Sequence, residues 1–346
     1  MLIRLQAVKY AKEACDAAKE FGYNHFESLL TSGGDDRSII LKESGCNKYH
    51  IKPKPISRGV IFRGSCTGNP PTERGYEAAK TLYEKKLANL EGEELDETLR
   101  KIFRDQRERL AKLLKLPSGA EVVLCPSGSD AEYIPLAIAK TIRPDAKIVN
   151  GVTQVKEIGA GSVPAAMGRF FSAFAPLVGG IDDFSEKTLA GFEGIEGEVF
   201  DAREGDGSVV EASRRMEEFL QSALKKDEYP IVHGVFGGKT GLRDEKMPGG
   251  IEGGSKALGI VDACQGRFST DELLQWLDQD SLVLFTGSKF YQAPPFCGAV
   301  IIPPAIAEKL RNTKLSDGND MFTPAGLGGR FRRVEDALQF LILSDT

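Results

Sequence analysis

Apolar residues in this chain fall into short runs that alternate with stretches in which apolar positions recur every three or four residues. Six runs rich in β-branched residues predict buried strands: EVVLC, KIVN, PIVHGVF, ALGIVDA, SLVLF and GAVIIP. Four other segments have helical periodicity: DAEYIPLAIAKTI, VVEASRRMEEFLQSALKK, TDELLQWL and PAIAEKL. This alternation predicts an α/β fold of three layers, α/β/α, in which helices cover both faces of a mostly parallel sheet.

The patterns outside this alternation divide the chain into three parts. Residues 1–70 combine an N-terminal helix that stops near Gly22 with an irregular, Gly- and Pro-rich stretch holding one short strand at 59–62. Residues 71–330 form the large domain and begin with two helices between Thr72 and Leu116. The last helical pattern, RFRRVEDALQFLIL, runs into residues 331–346, which we interpret as the start of a truncated C-terminal segment.

Composition narrows the kind of partner. The 346 residues are 41% hydrophobic and 27% charged, which is ordinary for a globular protein. A net charge of −5 gives no basic footprint for nucleic acid. No apolar run approaches the length of a membrane span, and the N-terminus has no signal-peptide core. We therefore expect a cytoplasmic protein that acts on a small molecule, without nucleic acid or a membrane as partner.

Cysteines and histidines do not suggest a metal centre. The six cysteines include no C-x-x-C pair, and the three histidines, His25, His50 and His233, are far apart in sequence. A zinc site needs clustered ligands at short spacing, so we expect no metal. Reduced thiols in a cytosol-like compartment fit this usage.

Two glycine-rich stretches resemble nucleotide-binding motifs and depart from them. GVFGGKTGL supplies the Gly-Lys-Thr end of a phosphate-binding loop, but the first glycine of that motif falls at His233, and no good helix follows. GAGSVPAAMG has Pro164 where a dinucleotide fingerprint has its third glycine. A nucleotide binder remains the alternative that these stretches leave open.

CPSGSDAE is a better anion site. It follows the strand EVVLC, turns through Ser127, Gly128 and Ser129, and opens a helix. Backbone N–H groups at a helix start, together with two hydroxyls, can hold a phosphate. The alternative is ordinary helix capping by Ser127 or Ser129.

A carboxylate and a lysine follow two later strands. Asp262 ends ALGIV, and a carboxylate at a buried strand end is costly unless it meets a cation or hydrogen-bond donors. Lys289 lies in FTGSKFYQAPPF, directly after SLVLF. One helix and one strand separate the two residues, so neighbouring strands bring both to one edge of the sheet, where open α/β sheets bind ligands. Helix capping for Asp262 and surface exposure for Lys289 are the alternatives.

An anion cradle, a carboxylate and a lysine in this order suit pyridoxal phosphate. That cofactor needs a phosphate site, an acid facing its pyridine nitrogen and a lysine for a Schiff base. A free lysine with a pKa of about 10.4 is neutral only about once in 2,500 molecules at pH 7. An imine in a desolvated site removes that obstacle and prepares the lysine for exchange with a substrate amine.

These motifs resemble the fold-type I pyridoxal-phosphate enzymes, and among them the class V aminotransferase and cysteine desulfurase-like group. PSGSDAE is similar to that group's phosphate loop, VDACQ to its Asp-x-x-Gln element, and TGSK to its Ser-x-His-Lys element. The resemblance implies Lys289 and Asp262 as catalytic residues. It implies a cofactor site made of Ser127, Gly128, Ser129, Asp262, Gln265, Thr286, Ser288 and Lys289, with Gln265 near the phenolic oxygen.

The resemblance also implies a homodimer and an amino acid or amine substrate. We expect an aminotransferase, with a C–S or decarboxylating lyase, or a truncated cofactor-binding relative without catalysis, as alternatives. The usual ring-stacking aromatic or histidine is missing, and Glu157-Ile158 takes its place in sequence. The C-terminal small domain is expected to be reduced or missing. Only Arg330, Arg332 and Arg333 offer a substitute for its substrate-binding arginine.

Overall fold

A computed structural model of the chain describes residues 12–32, 35–57, 59–61, 64, 66–175, 179–181, 183–313 and 327. Its centre is a seven-stranded sheet with the order β1-β9-β8-β7-β6-β2-β5. A separate two-stranded ribbon pairs β3 with β4. The strands are β1 Glu121–Cys125, β2 Ile148–Val152, β3 Phe174–Ala175, β4 Gly179–Gly180, β5 Glu196–Val199, β6 Tyr229–Val235, β7 Leu258–Asp262, β8 Leu282–Thr286 and β9 Gly298–Ile302.

The sheet is mostly parallel, as predicted, with one strand reversed. β5, β2, β6, β7 and β8 pair in parallel, whereas β9 runs antiparallel to both β8 and β1. β7, β8 and β9 are buried along their whole length because helices cover both faces, and their sequences are accordingly apolar up to the polar residues that end β7 and β8.

Helices form the outer two layers. They are α1 His25–Ser32, α2 Glu73–Lys86, α3 Gly92–Leu113, α4 Gly128–Ala131, α5 Tyr133–Ile142, α6 Ser162–Ala166, α7 Ala212–Lys225, α8 Thr270–Asp278 and α9 Pro304–Arg311, and residues 12–20 are also helical. α5 and α9 pack on one face of the sheet, and α7 and α8 pack on the other through Phe219 and Trp276. No described helix has both the length and the apolar character that a bilayer crossing requires.

Several predicted elements differ from the observed ones. Residues 59–61 do not form the expected strand. The helix predicted over DAEYIPLAIAKTI is two helices that meet at Glu132, and Pro135 is tolerated because it lies in the first turn of α5. β5 was not predicted, since it is an exposed edge strand of sequence EGEV without an apolar run. The predicted helix RFRRVEDALQFLIL lies outside the described residues, as do Arg330, Arg332 and Arg333.

Candidate functional site

A cavity of about 280 Å³ opens at the carboxyl ends of the parallel strands. Five of the predicted site residues contribute to its wall, from three segments that are distant in sequence: Gly128, Ser129, Asp262, Gln265 and Lys289. The structure therefore brings the three predicted motifs together at one edge of the sheet. The other three predicted residues, Ser127, Thr286 and Ser288, are fully buried directly behind this wall.

The loop after β1 both caps a helix and lines the cavity, so the two interpretations of its sequence, helix cap and anion site, do not exclude each other. Ser127 is the N-cap of α4: its Oγ accepts the Asp130 N–H at 3.3 Å and donates to Asp130 Oδ2 at 2.6 Å. The same oxygen accepts a hydrogen bond from Arg37 Nη2 at 3.0 Å. Ser127 thus fixes the shape of the loop, which leaves Gly128 and Ser129 to face the cavity.

Gly128 is a position where no larger residue fits. A Cβ added there would lie 2.8 Å from Cys264 Sγ and 3.3 Å from Thr286 Cγ2. The glycine therefore lets the loop after β1 approach the loop after β7 closely. This approach brings the start of α4 and Asp262 into one cavity wall.

Gly128→Ala is expected to destabilise the protein by about 1–3 kcal/mol, because the added methyl group overpacks a buried contact. It should also weaken binding of an anion at the loop. Urea unfolding and ligand titration would measure the two effects. Gly205→Ala is the matched control, since a Cβ at Gly205 meets nothing within 4 Å, and it should change neither quantity. Equal behaviour of the two variants would contradict the close-packing account.

Asp262 is the last residue of β7 and is only 6% exposed. One carboxylate oxygen, Oδ1, accepts the Cys264 N–H at 3.0 Å, which holds the side chain at the cavity wall. Thr286 donates its hydroxyl to the Cys264 carbonyl at 2.9 Å. Thr286 therefore supports the loop that carries Asp262 and does not itself line the cavity, and its part in a cofactor site stays a prediction.

Lys289 lies in a compact turn after β8. The turn is closed by hydrogen bonds from the Gly287 N–H to the Cys297 carbonyl at 2.8 Å and from the Gln292 N–H to the Lys289 carbonyl at 3.1 Å. The hydroxyl of Ser288 is buried and has no hydrogen-bond partner in the described part of the chain. Buried hydroxyls without a partner are rare in folded proteins.

Lys239, one of two further lysines in the cavity wall beside Lys289, was not predicted as functional. Lys239 belongs to the GVFGGKTGL stretch, and burial, followed by the positive charge of Lys289, lowers its pKa. The loop is held by Glu157, whose carboxylate accepts the Thr240 N–H at 2.7 Å and the Thr240 hydroxyl at 2.8 Å. The loop continues as a turn and no helix follows it, so it lacks the helix N-terminus that a phosphate-binding loop uses.

The N-terminal segment supplies another part of the wall that the sequence did not reveal. Arg37 pairs with Asp35 through Nε at 2.8 Å and Nη2 at 2.6 Å, and its guanidinium lies over the Phe171 ring at 5.0 Å. Thr67 lines the cavity together with Tyr49. Glu157 and Ile158 line the cavity in the place expected for ring contact.

Behind the wall, Glu132 and His233 form a buried pair. His233 Nδ1 lies 3.7 Å from Glu132 Oε2, and both side chains are nearly inaccessible to solvent. Burial and then the negative charge of Asp262 raise the pKa of Glu132 well above its usual range. Burial alone lowers the pKa of His233 to about 3. His233 is therefore neutral at pH 7, and the Glu132 carboxyl holds its proton more readily than an ordinary glutamate does.

His233 should make folding sensitive to acid. Because its folded pKa of about 3 lies below the ordinary 6.5, the unfolded chain binds a proton first, and stability is lost as pH falls through this window. The lost free energy by pH 4 is roughly 3 kcal/mol. His233→Gln cannot bind that proton, so its unfolding free energy should fall less than that of the wild type between pH 7 and pH 4. Parallel losses in urea titrations would contradict a neutral buried His233.

No protein-family model matches the chain, and no curated protein matches it in sequence. Among solved structures, the glutamate decarboxylase domain of diaminobutyrate-pyruvate transaminase and L-2,4-diaminobutyrate decarboxylase from Vibrio parahaemolyticus is similar. Its TM-score is 0.51 at 12% identity, over 94% of this chain and 72% of that chain. Mouse CSAD in apo form has a TM-score of 0.49 at 16% identity, over 79% and 57%. Oryza sativa TDC with PLP and tryptamine has 0.40 at 15%, over 68% and 50%.

These similarities concern the fold. The observed topology and the first of these structures confirm the predicted α/β fold with a mostly parallel sheet. This is the fold of the fold-type I large domain. The chain spans a little over half the length of the mouse CSAD chain. Assignment to the class V group within fold type I stays a prediction, as does the homodimer.

Proposed function

We propose that the protein is a pyridoxal-phosphate-dependent enzyme that acts on an amino acid or amine, with Lys289 as the residue that holds the cofactor covalently. The observation that carries this proposal is the meeting of Lys289, Asp262 and the Gly128-Ser129 loop in one cavity. Each of the three corresponds to one demand of the cofactor: a lysine for its aldehyde, an acid for its ring nitrogen and a helix start for its phosphate.

The residues present fit this cofactor. The cavity of about 280 Å³ is slightly smaller than the usual range for small-molecule sites, which is about 300 to 1,000 Å³. Gly128 and Ser129 line the cavity at the start of α4, and Ser129 adds a side-chain hydroxyl there.

When bound, pyridoxal phosphate supplies an electron sink for the bond that breaks at the substrate's α-carbon. The protein's part is to bind and orient. The Asp262 carboxylate holds the ring nitrogen in its protonated form by charge-assisted hydrogen bonding. Lys289 Nζ takes up and releases a proton beside the reacting carbon. Tyr49 and Phe171 contribute aromatic surface to the wall, which limits the access of water.

Among reaction types, we place decarboxylation ahead of the transamination expected from sequence. Two observations support this order. The similar structure from Vibrio parahaemolyticus is described as a glutamate decarboxylase domain. In addition, Arg37, the arginine among the described wall residues, is committed to Asp35 by a short double contact. A guanidinium paired in this way is less available for a bidentate ion pair with a substrate carboxylate, which is the part that the substrate-binding arginine of an aminotransferase would play.

The test is a product assay on protein loaded with pyridoxal phosphate. Acidic, basic and aromatic L-amino acids are each incubated with the loaded protein, and carbon dioxide, amine and keto acid are quantified by mass spectrometry. Decarboxylation converts one amino acid and one proton to one amine and one carbon dioxide, so equal amounts of both are expected. Keto acid without carbon dioxide would establish transamination instead. A bound cofactor without any product would favour the non-catalytic relative.

A further inference from the structure

A carboxyl and an imidazole that the proposed chemistry does not use lie side by side behind the cavity. Glu132 is 1% exposed and His233 is 2% exposed. Within the described chain, neither carboxyl oxygen of Glu132 has a hydrogen-bond partner, and His233 Nε2 has none. Buried polar atoms without partners are costly and rare, so a cluster of three at one place calls for a functional explanation.

The position of this pair connects it to the candidate site. Glu132 follows α4, the helix that starts at the phosphate loop, and directly precedes α5. His233 lies on β6, where it is opposite Ile260, and two residues later Val235 is opposite Asp262 on the same neighbouring strand. Side chains two residues apart on a strand share one face of the sheet. Glu132 and His233 therefore lie farther inside the protein than the carboxylate of Asp262, which is the group assigned to the ring nitrogen.

The charged and buried groups around Glu132 and His233 determine which protonation state each of the two side chains prefers. The groups that act on Glu132 from the packed elements are Asp262 on β7, His233 on β6 and the Cys264 thiol. The Asp262 charge and burial favour the protonated form of Glu132, and burial keeps His233 neutral. A protonated carboxyl is a donor, and a neutral imidazole has one donor and one acceptor nitrogen.

We propose that Glu132 is a positioning residue for Asp262. In this arrangement the 3.7 Å gap between His233 Nδ1 and Glu132 Oε2 closes to a hydrogen bond that His233 donates, and the protonated oxygen of Glu132 turns to donate to the Asp262 carboxylate. Asp262 then remains the one charged carboxylate of the group and keeps a fixed orientation toward the ring nitrogen. This inference rests on the proposed function, because the role of Asp262 belongs to it.

The first measurement needs no cofactor. The infrared spectrum of the apo-protein in heavy water at pH 7 should contain the carbonyl band of a protonated carboxyl, and Glu132→Gln should remove it. Thr141→Val is the matched control: Thr141 lies on α5, is buried like Glu132, and donates its hydroxyl to the Ala137 carbonyl of its own helix at 2.7 Å. That variant should keep the band. If the wild-type-minus-Glu132→Gln difference spectrum shows an ionised carboxylate, or no band, the proposal is overturned.

The second measurement is the dissociation constant of pyridoxal phosphate. Glu132→Gln keeps a donor toward Asp262 and should bind within about threefold of the wild type, whereas Glu132→Leu lacks one and should bind at least about tenfold more weakly. His233→Leu is the second route if Glu132→Leu does not fold, and it should weaken binding in the same direction. Equal affinities of all variants, or equal losses in Glu132→Gln and Glu132→Leu, would overturn the proposal. A wild type that binds no cofactor would instead refute the proposed function itself.

Discussion

Lys289→Ala is expected to abolish the imine absorbance band of the protein loaded with pyridoxal phosphate. The variant has no amine at the end of β8 to bond the cofactor's aldehyde, so any cofactor that binds is held without the covalent link. Turnover should fall by at least about a thousandfold, because the same nitrogen also moves the proton at the reacting carbon. Absorbance scans during titration with the cofactor, followed by product assays, measure both effects.

Lys239→Ala is the matched control for this variant. Lys239 lines the same cavity and is close enough for the Lys289 charge to depress its pKa. The control removes a lysine of similar surroundings but leaves the turn after β8 intact, so the absorbance band should persist. If Lys239→Ala loses the band and Lys289→Ala retains it, the covalent role belongs to the loop after β6.

Asp262→Asn is expected to lower kcat by at least about a hundredfold while the free energy of unfolding changes by less than about 2 kcal/mol. The amide keeps the shape and can still accept the Cys264 N–H, but it has no charge with which to hold a proton on the ring nitrogen. Steady-state kinetics and urea unfolding on the same preparations separate the catalytic loss from a folding defect.

Asp244 offers the contrasting case of a structural carboxylate. It is buried after β6 and accepts hydrogen bonds from the Thr153 hydroxyl at 2.6 Å, the Gln154 amide at 2.7 Å and the Val235 N–H at 2.7 Å. Asp244→Asn should therefore cost more stability than Asp262→Asn and produce the smaller loss of kcat. The reverse ranking would assign Asp262 a structural role, such as holding the loop at Cys264.

The sequence predicted the central strands and the order of the three motifs because these depend on local patterns. Buried strands such as β7 and β8 need continuous apolar runs, and ligand residues in such folds follow strand ends. The reversed direction of β9 could not be predicted in this way, since a buried strand has the same apolar run in either orientation. β5 lacked any signal because an exposed edge strand has no need of apolar residues.

The site residues that the sequence did not reveal depend on contacts between distant segments. Arg37 looks like an ordinary loop arginine, and its link to Ser127 exists only because the N-terminal segment folds over α4. Glu132 looks like a solvent-facing residue in a helical pattern. The packing of α5 on the sheet buries it beside His233. Such residues become visible only when the tertiary structure is known.

The covalent role of Lys289 is the central claim, and chemical trapping tests it directly. The protein is loaded with pyridoxal phosphate, reduced with borohydride and digested, and the modified peptide is identified by mass spectrometry. The account predicts a single phosphopyridoxyl group on the peptide that contains Lys289. A label on Lys239 or any other lysine in its place, or no label at saturating cofactor, would contradict it.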